Sequence, residues 1–184
     1  MRWNDHSNLV GSHAFLAPSK YHWLNYNDEK LEKVYLNLRA KEKGCELHEF
    51  ASKAVQLGIK LPRSRKTLNL YVNDAIGYKM SVEVVLCYSY NCYGTADAIC
   101  YRNKFLRIHD LKTGISPTSM KQLEIYAALF CLEYELDPKD MGMELRIYQT
   151  DGVFVHKPGF EEIRFIMDKI RDFDEKLNFL RERG

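Results

Sequence analysis

The sequence predicts an α/β domain, a central mixed β-sheet flanked by helices and preceded by a helical segment. Three observations carry that reading. Val- and Ile-rich runs between residues 81 and 112 alternate with polar residues, the period of half-buried strands. Residues 28–57 and 160–183 instead place apolar side chains three and four apart, the period of helices. A third helical stretch, near 120–135, stands between the first strands and a later hairpin. A chain of 184 residues suits one domain over 1–184, with 1–80 mainly helical and 81–184 holding the sheet and its helices.

In chain order, residues 1–18 read as irregular, with Phe15, Leu16 and Trp23 finding cover and Ser19 capping a short helix through Trp23 and Leu24. Asp28–Leu57 is helical: Leu31, Val34, Tyr35 and Leu38 form one apolar face, and Leu47, Phe50, Ala51 and Ala54 another. Gly44 is placed to break it into two pieces, and Gly58 to end it. Lys60–Lys66 is a loop containing Pro62 and Ser64, after which Thr67 starts a helix to about Ala75.

Ser81–Tyr90 is a strand, and Tyr90–Gly94 turns into a second over residues 94–102. Asn103-Lys104 supplies a tight turn into Phe105–Lys112. Thr113-Gly114 ends that strand, Pro117 blocks further pairing, and Thr118 or Ser119 caps a helix from about Met120 to Glu135. Asp137-Pro138 breaks the chain before a hairpin of Met141–Gln149 and Gly152–His156 across Thr150-Asp151. Phe160–Arg183 closes as an amphipathic helix with Ile163, Ile166, Met167, Ile170, Phe173, Leu177 and Leu180 inward. Arg181, Arg183 and Gly184 give it a C-terminal end suited to its dipole.

Composition excludes several classes. A hydrophobic content of 46% and only five prolines argue against disorder. No apolar run approaches the length of a membrane span, and the start lacks the apolar core of a signal peptide, so a cytoplasmic protein with no membrane partner is expected. A net charge of +2 does not by itself announce a nucleic-acid binder. Cysteines 45, 87, 92, 100 and 131 form no CxxC pair and read as buried reduced thiols.

The chemistry concentrates in residues 94–126. Asp97 sits in one strand; Asp110 and Lys112, two apart in the next, leave the same face. Gln122 and Tyr126, four apart, share a helix face. Two carboxylates, one ammonium and a polar helix face can thus converge, which suits a metal site for phosphate chemistry. Asp-x-Lys alone is weak, since Asp28-Glu29-Lys30, Asp137-Pro138-Lys139 and Asp174-Glu175-Lys176 also occur. An alternative for Asp110 and Lys112 is an ion pair on a sheet edge, worth under about 1 kcal/mol.

Gly94-Thr95-Ala96-Asp97, Asp110-Leu111-Lys112 and Gln122-x-x-x-Tyr126 together resemble the PD-(D/E)xK nuclease superfamily. The similarity is to its RecB-type branch of phage and CRISPR-associated exonucleases, in which an upstream Gly-x-x-x-His fits Gly44–His48. The resemblance implies one restriction-endonuclease-like domain and Mg²⁺ or Mn²⁺ held by His48, Asp97, Asp110 and the Leu111 carbonyl. It implies that Lys112 handles the water or the transition-state charge, that Gln122 and Tyr126 position it, and that Glu83 is a possible additional acid. Imidazole suits Mn²⁺ better than Mg²⁺. Nothing beyond Cys131 is cysteine, so the iron–sulfur cluster of some relatives is not expected.

The function so implied is a metal-dependent DNA exonuclease of end processing or recombination. Alternatives are a structure-specific or nicking endonuclease and a non-catalytic DNA-binding subunit that keeps the fold. Lys20, early in the chain, and Arg63, Arg65 and Lys66 in the basic loop are candidate DNA contacts; the loop reads equally as a solvated linker. No Walker loop is present, so a helicase or recombination protein would be a separate partner. A homo-oligomer is possible, and a bacterial or phage-infected host cell is the expected setting.

Overall fold

The computed structural model describes residues 4–183, so Gly184 lies outside the described residues. The chain divides into two compact units, the first ending at Lys43 and the second beginning at Gly44.

The first unit holds two short 3₁₀ helices, Ser7–Leu9 and Pro18–Asn25, and the start of helix α1 (Asp28–Gln56). Trp23 gains cover by donating its Nε1–H to the Ala17 carbonyl at 3.0 Å, and Phe15 meets Tyr35 edge-on at 5.6 Å. Leu16 stays exposed, as do Leu31, Tyr35 and Leu38. Ser19 lies inside the second 3₁₀ helix and does not cap it; Ala17 is the cap residue and Pro18 opens the turn. Asn27 Oδ1 accepts the Lys30 N–H at 2.9 Å, which caps α1.

Gly44 does not break α1, which runs through 29 residues. A glycine costs a helix about 1 kcal/mol relative to alanine, too little to interrupt one of that length. Its purpose is space: a Cβ there would stand 2.8 Å from Thr113 Oγ1. Ala51, Ala54 and Val55 are buried below it, whereas Phe50 remains exposed. Gly58, at φ +67°, turns the helix off, with the Ile59 N–H on the Ala54 carbonyl and its own on Val55.

The second unit continues with α2 (Thr67–Gly77), β1 (Ser81–Ser89), β2 (Cys92–Arg102), β3 (Phe105–Leu111), α3 (Lys121–Glu133), β4 (Gly142–Gln149), β5 (Gly152–His156) and α4 (Phe160–Glu182). The sheet order is β1-β2-β3-β4-β5, antiparallel except for the parallel β3–β4 pair. Two-residue turns close two hairpins, with Asn103, Lys104, Thr150 and Asp151 all at positive φ, as type I′ turns demand. A parallel pair needs a crossover, and α3 supplies it. The protein is therefore α/β, with a five-stranded mixed sheet flanked by helices.

Each face of the sheet buries one core. Leu106, Ile108, Leu123, Ala127, Leu145 and Ile163 fill the side covered by α3 and α4. Ala51, Val55, Tyr71, Val72, Leu111 and Tyr148 fill the side covered by α1 and α2. A polar chain crosses the second core: the Tyr148 hydroxyl donates to Asp74 at 2.7 Å and lies 3.2 Å from His109 Nδ1. Arg146 donates to the same Asp74 at 3.1 Å. His109 is fully buried, and that burial pushes its pKa down to about 3, so it stays neutral.

Other boundaries differ for local reasons. β2 starts at Cys92, because Cys92 and Tyr93 already pair with the end of β1. Ser89 and Asn91 accordingly hold a shorter turn, with the Asn91 N–H on Ser89 Oγ. Neither Thr118 nor Ser119 caps α3, whose cap residue is Met120; the Thr118 hydroxyl donates to Gln149 Oε1 at 3.1 Å, and Ser119 Oγ accepts the Lys121 N–H from outside the helix. Asp151 serves α2 from a distant turn, accepting both the N–H and the hydroxyl of Thr67.

Along α4 only Ile163 and Met167 are buried, with Ile166 and Ile170 packed at the core's edge, while Phe173, Leu177 and Leu180 are exposed. A 23-residue helix spans about 35 Å, more than the 13-residue α3 it packs against can cover. Cys131 alone of the five cysteines is buried; Cys45 and Cys87 are exposed and all five are unpaired thiols. Among the described residues no helix is long and apolar enough to cross a membrane.

The β3–β4 register sets a packing test. Gly142 pairs with Phe105, and a Cβ at 142 would lie 2.6 Å from the Phe105 ring. Gly142→Ala should destabilise the protein by about 1–3 kcal/mol through overpacking, read from denaturant unfolding. Unchanged stability would show that the ring moves aside freely.

Candidate metal centre

The centre forms where the sheet stops being regular. Val82 pairs with Ala98 and Val84 with Ala96, which sets Glu83 opposite Asp97. Ala98 pairs with His109, and the next position outward sets Asp97 opposite Asp110, where backbone pairing has ended. Three carboxylates thus stand in one row across β1, β2 and β3. Side-chain alternation slips at the same place: Ala96 packs against the α3–α4 side and Ala98, two residues on, against the α1–α2 side. Glu83 has φ +53°, a left-handed conformation rare for a side-chain-bearing residue in a strand.

Where the strands part, side chains take over their hydrogen bonding. The Leu111 N–H donates to Asp97 Oδ2 at 2.9 Å, and His48 Nδ1, from α1, lies 3.5 Å from the same oxygen. The Leu111 N–H, and not its carbonyl, is therefore the backbone group in contact with Asp97. Lys112 Nζ is 3.0 Å from both oxygens of Asp110 and donates to Gln122 Oε1 at 2.9 Å. Gln122 Nε2 reaches the Tyr126 hydroxyl at 3.4 Å. His48, Asp97, Asp110, Leu111, Lys112, Gln122 and Tyr126 are thus brought together, with Glu83 at the end of the row.

Two motif glycines make that approach possible. A Cβ on Gly94 would meet Tyr126 Cε1 at 3.0 Å, as one on Gly44 would meet Thr113. The bare backbone of β2 gives the Tyr126 ring its seat.

Electrostatics in the row favour a cation. Burial raises the Asp97 carboxyl above its usual range despite the Leu111 N–H, His48 and Lys112, all of which pull it down. Burial also raises Asp110, and the Asp97 charge adds to that; Lys112 only partly offsets both. Asp110 Oδ2 is buried and has no hydrogen-bond partner among the described residues, although Lys112 is near enough for an ion contact. A desolvated carboxylate pair with a free lone pair, plus a nearby imidazole, fits Mg²⁺ or Mn²⁺ in donor type.

The remaining candidates are surface residues. Arg63, Arg65 and Lys66 are exposed on the loop before α2, whose backbone is held by Asn69 and Asn73: Asn69 Nδ2 donates to the Pro62 carbonyl, and Asn73 bonds both backbone groups of Leu61. Lys20 is exposed in the first unit, at a kink with φ −106° and ψ 37°.

Two residues not marked by their sequence pattern also border the centre. Tyr71 is buried on α2, and its hydroxyl is held protonated by burial and by the charges of Asp97, Glu83 and Asp110. Gln149, 5% exposed, donates to the Gly114 and Ser116 carbonyls and accepts from Thr118, fixing the loop that follows Lys112. Tyr71 occupies an ordinary apolar helix position, and Gln149 sits 37 residues beyond Lys112, so linear spacing carries no sign of either. Comparison with family models, with curated proteins and with solved structures gives no match for this chain.

The raised carboxyls yield a pH test. A carboxyl whose pKa rises on folding stabilises the folded state while protonated. Stability is lost as pH climbs through the unfolded value towards the folded one. In metal-free protein at about pH 8, Asp97→Asn should raise Tm by at least about 2 °C, the shift that about 1 kcal/mol gives in a chain of this size. The gain should shrink towards about pH 4, near the unfolded pKa. A lower Tm for Asp97→Asn at both pH values would show that the carboxylates are not in conflict.

Proposed function

We propose that the chain is a metal-dependent deoxyribonuclease of the RecB-type PD-(D/E)xK kind, hydrolysing phosphodiester bonds as an exonuclease. The observation that carries this reading is the buried Asp110 beside the half-buried Asp97, with Lys112 Nζ 3.0 Å from Asp110. An ordinary surface ion pair would not bury a carboxylate to 3% exposure or leave one of its oxygens without a hydrogen bond.

His48, Asp97 and Asp110 would hold Mg²⁺ or Mn²⁺, with the Leu111 carbonyl as a further ligand. Bound there, the metal supplies charge neutralisation at the phosphate and polarisation of water. Lys112 contacts both Asp110 and Gln122, and from there its ammonium would hold the attacking water or meet developing charge. Gln122 and Tyr126 fix that position from α3. Glu83 adds a third acid to the row. A cavity of about 270 Å³ beside Lys112, lined by Leu47, Leu68, Leu111 and Ile115, has room for part of a flanking nucleotide. Arg63, Arg65, Lys66 and Lys20 would neutralise backbone phosphates without reading bases.

Excess chelator should abolish hydrolysis of linear DNA, and Mn²⁺ should restore it at least as well as Mg²⁺. Asp110→Ala and Lys112→Ala should each lower kcat by at least about 100-fold, but only Asp110→Ala should weaken metal binding in calorimetry. Activity that survives chelation would remove the metal role. Cleavage of closed-circular DNA would favour an endonuclease, a structure-specific or nicking activity on the same chemistry.

The basic loop is tested separately. Replacing Arg63, Arg65 and Lys66 by Ala should weaken DNA binding similarly on unrelated sequences. The slope of log K against log salt should become shallower by about 0.7–0.9 per lost contact. A slope equal to wild type would make the loop a solvated linker.

A further inference from the structure

A second group of ligand-type side chains meets between α3, the end of β5 and the first turn of α4. Glu124, on α3, has a side chain only 4% exposed, although it is an ionisable carboxylate. Lys121 takes its Oε2, and its Oε1 faces His156, the last residue of β5. The His156 side chain is 34% exposed, but its Nε2 is buried and has no hydrogen-bond partner among the described residues; it stands 3.5 Å from Glu124 Oε1 and 3.9 Å from Glu162 Oε2. Glu162 Oε2 is itself fixed by the Gly159 N–H at 2.9 Å. One ligand atom from each of the three lies within 4.8 Å of the others.

An ion with bonds of about 2.1 Å and tetrahedral angles separates its ligand atoms by about 3.4 Å. The observed distances need only small rotations to reach that value. Two carboxylates offset a divalent charge, and a neutral imidazole supplies nitrogen. A cation also resolves two costs at once: a buried carboxylate with one lysine partner, and a buried ring nitrogen with none.

We propose that Glu124, His156 and Glu162 bind one divalent transition-metal ion of zinc-like chemistry, at a site separate from Asp97 and Asp110. Three protein ligands leave a fourth position for water. The ion joins two helices to the last strand, so its first effect is on stability. Mg²⁺, which prefers oxygen ligands and keeps its waters, is not the expected occupant. The site does not depend on the nuclease reading.

The test uses the full chain, stripped of metal, with Asp97→Asn and Asp110→Asn both present to silence the other centre. Calorimetric titration with Zn²⁺ should show one equivalent bound, with a higher Tm, and Mg²⁺ should give neither. Adding His156→Ala, or His156→Gln to keep the volume, should weaken Zn²⁺ binding by at least the roughly 10-fold that losing even an outer-shell partner costs. It should also remove the Tm rise, with the circular dichroism of the fold unchanged. Failure of the double variant to bind Zn²⁺ would overturn the proposal. So would equal binding after a His156 substitution in folded protein, since the group would then be only an ion-paired histidine.

Discussion

Asp97 and Asp110 stand side by side in a partly dry setting, and the sheet around them accommodates that repulsion. Neither charge is fully paid back by its partners: burial outweighs the Leu111 N–H and His48 at Asp97, and outweighs Lys112 at Asp110. Backbone pairing between β2 and β3 stops at this pair, so the Asp97 carboxylate, not the main chain, bridges the gap by taking the Leu111 N–H. The helices then make sense as suppliers of positive or polar groups, His48 from α1 and Gln122 with Tyr126 from α3.

Close approach is the second requirement, and glycine meets it twice. At Gly94 the chain leaves room for Tyr126, and at Gly44 for Thr113. Both glycines sit in motifs, so a residue that looked like a helix breaker is a contact point between a helix and the strand-end loop. The loop after Lys112 is fixed in turn by Gln149, a buried amide whose bonds all go to that loop.

Strand and helix periods were legible because burial imposes them. The hairpin at Asn103-Lys104, the crossover helix and the closing hairpin all stand where alternation and turn residues place them. The row Asp97, Asp110, Lys112, Gln122 and Tyr126 was legible for the same reason, since strand and helix periods decide which side chains share a face. Less was visible where a distant residue decides the outcome. Gly44 reads as a break until Thr113 is seen beside it, and Thr118 reads as a cap until Gln149 claims its hydroxyl. The outer half of α4 carries an inward-looking stripe, Phe173, Leu177 and Leu180, that the shorter α3 does not cover. Glu124, His156 and Glu162 lie up to 38 residues apart and share no motif, so only the fold brings them together.

Glu83 carries a wider consequence. Its left-handed backbone would suit glycine at no steric cost, yet the position holds an acid, opposite Asp97 in a strand. Selection for thermal endurance alone would favour glycine there and remove one charge from the row. A lineage without the proposed metal chemistry would therefore drift towards a tougher descendant. The identity of residue 83 in such a descendant would record whether the acid was still in use.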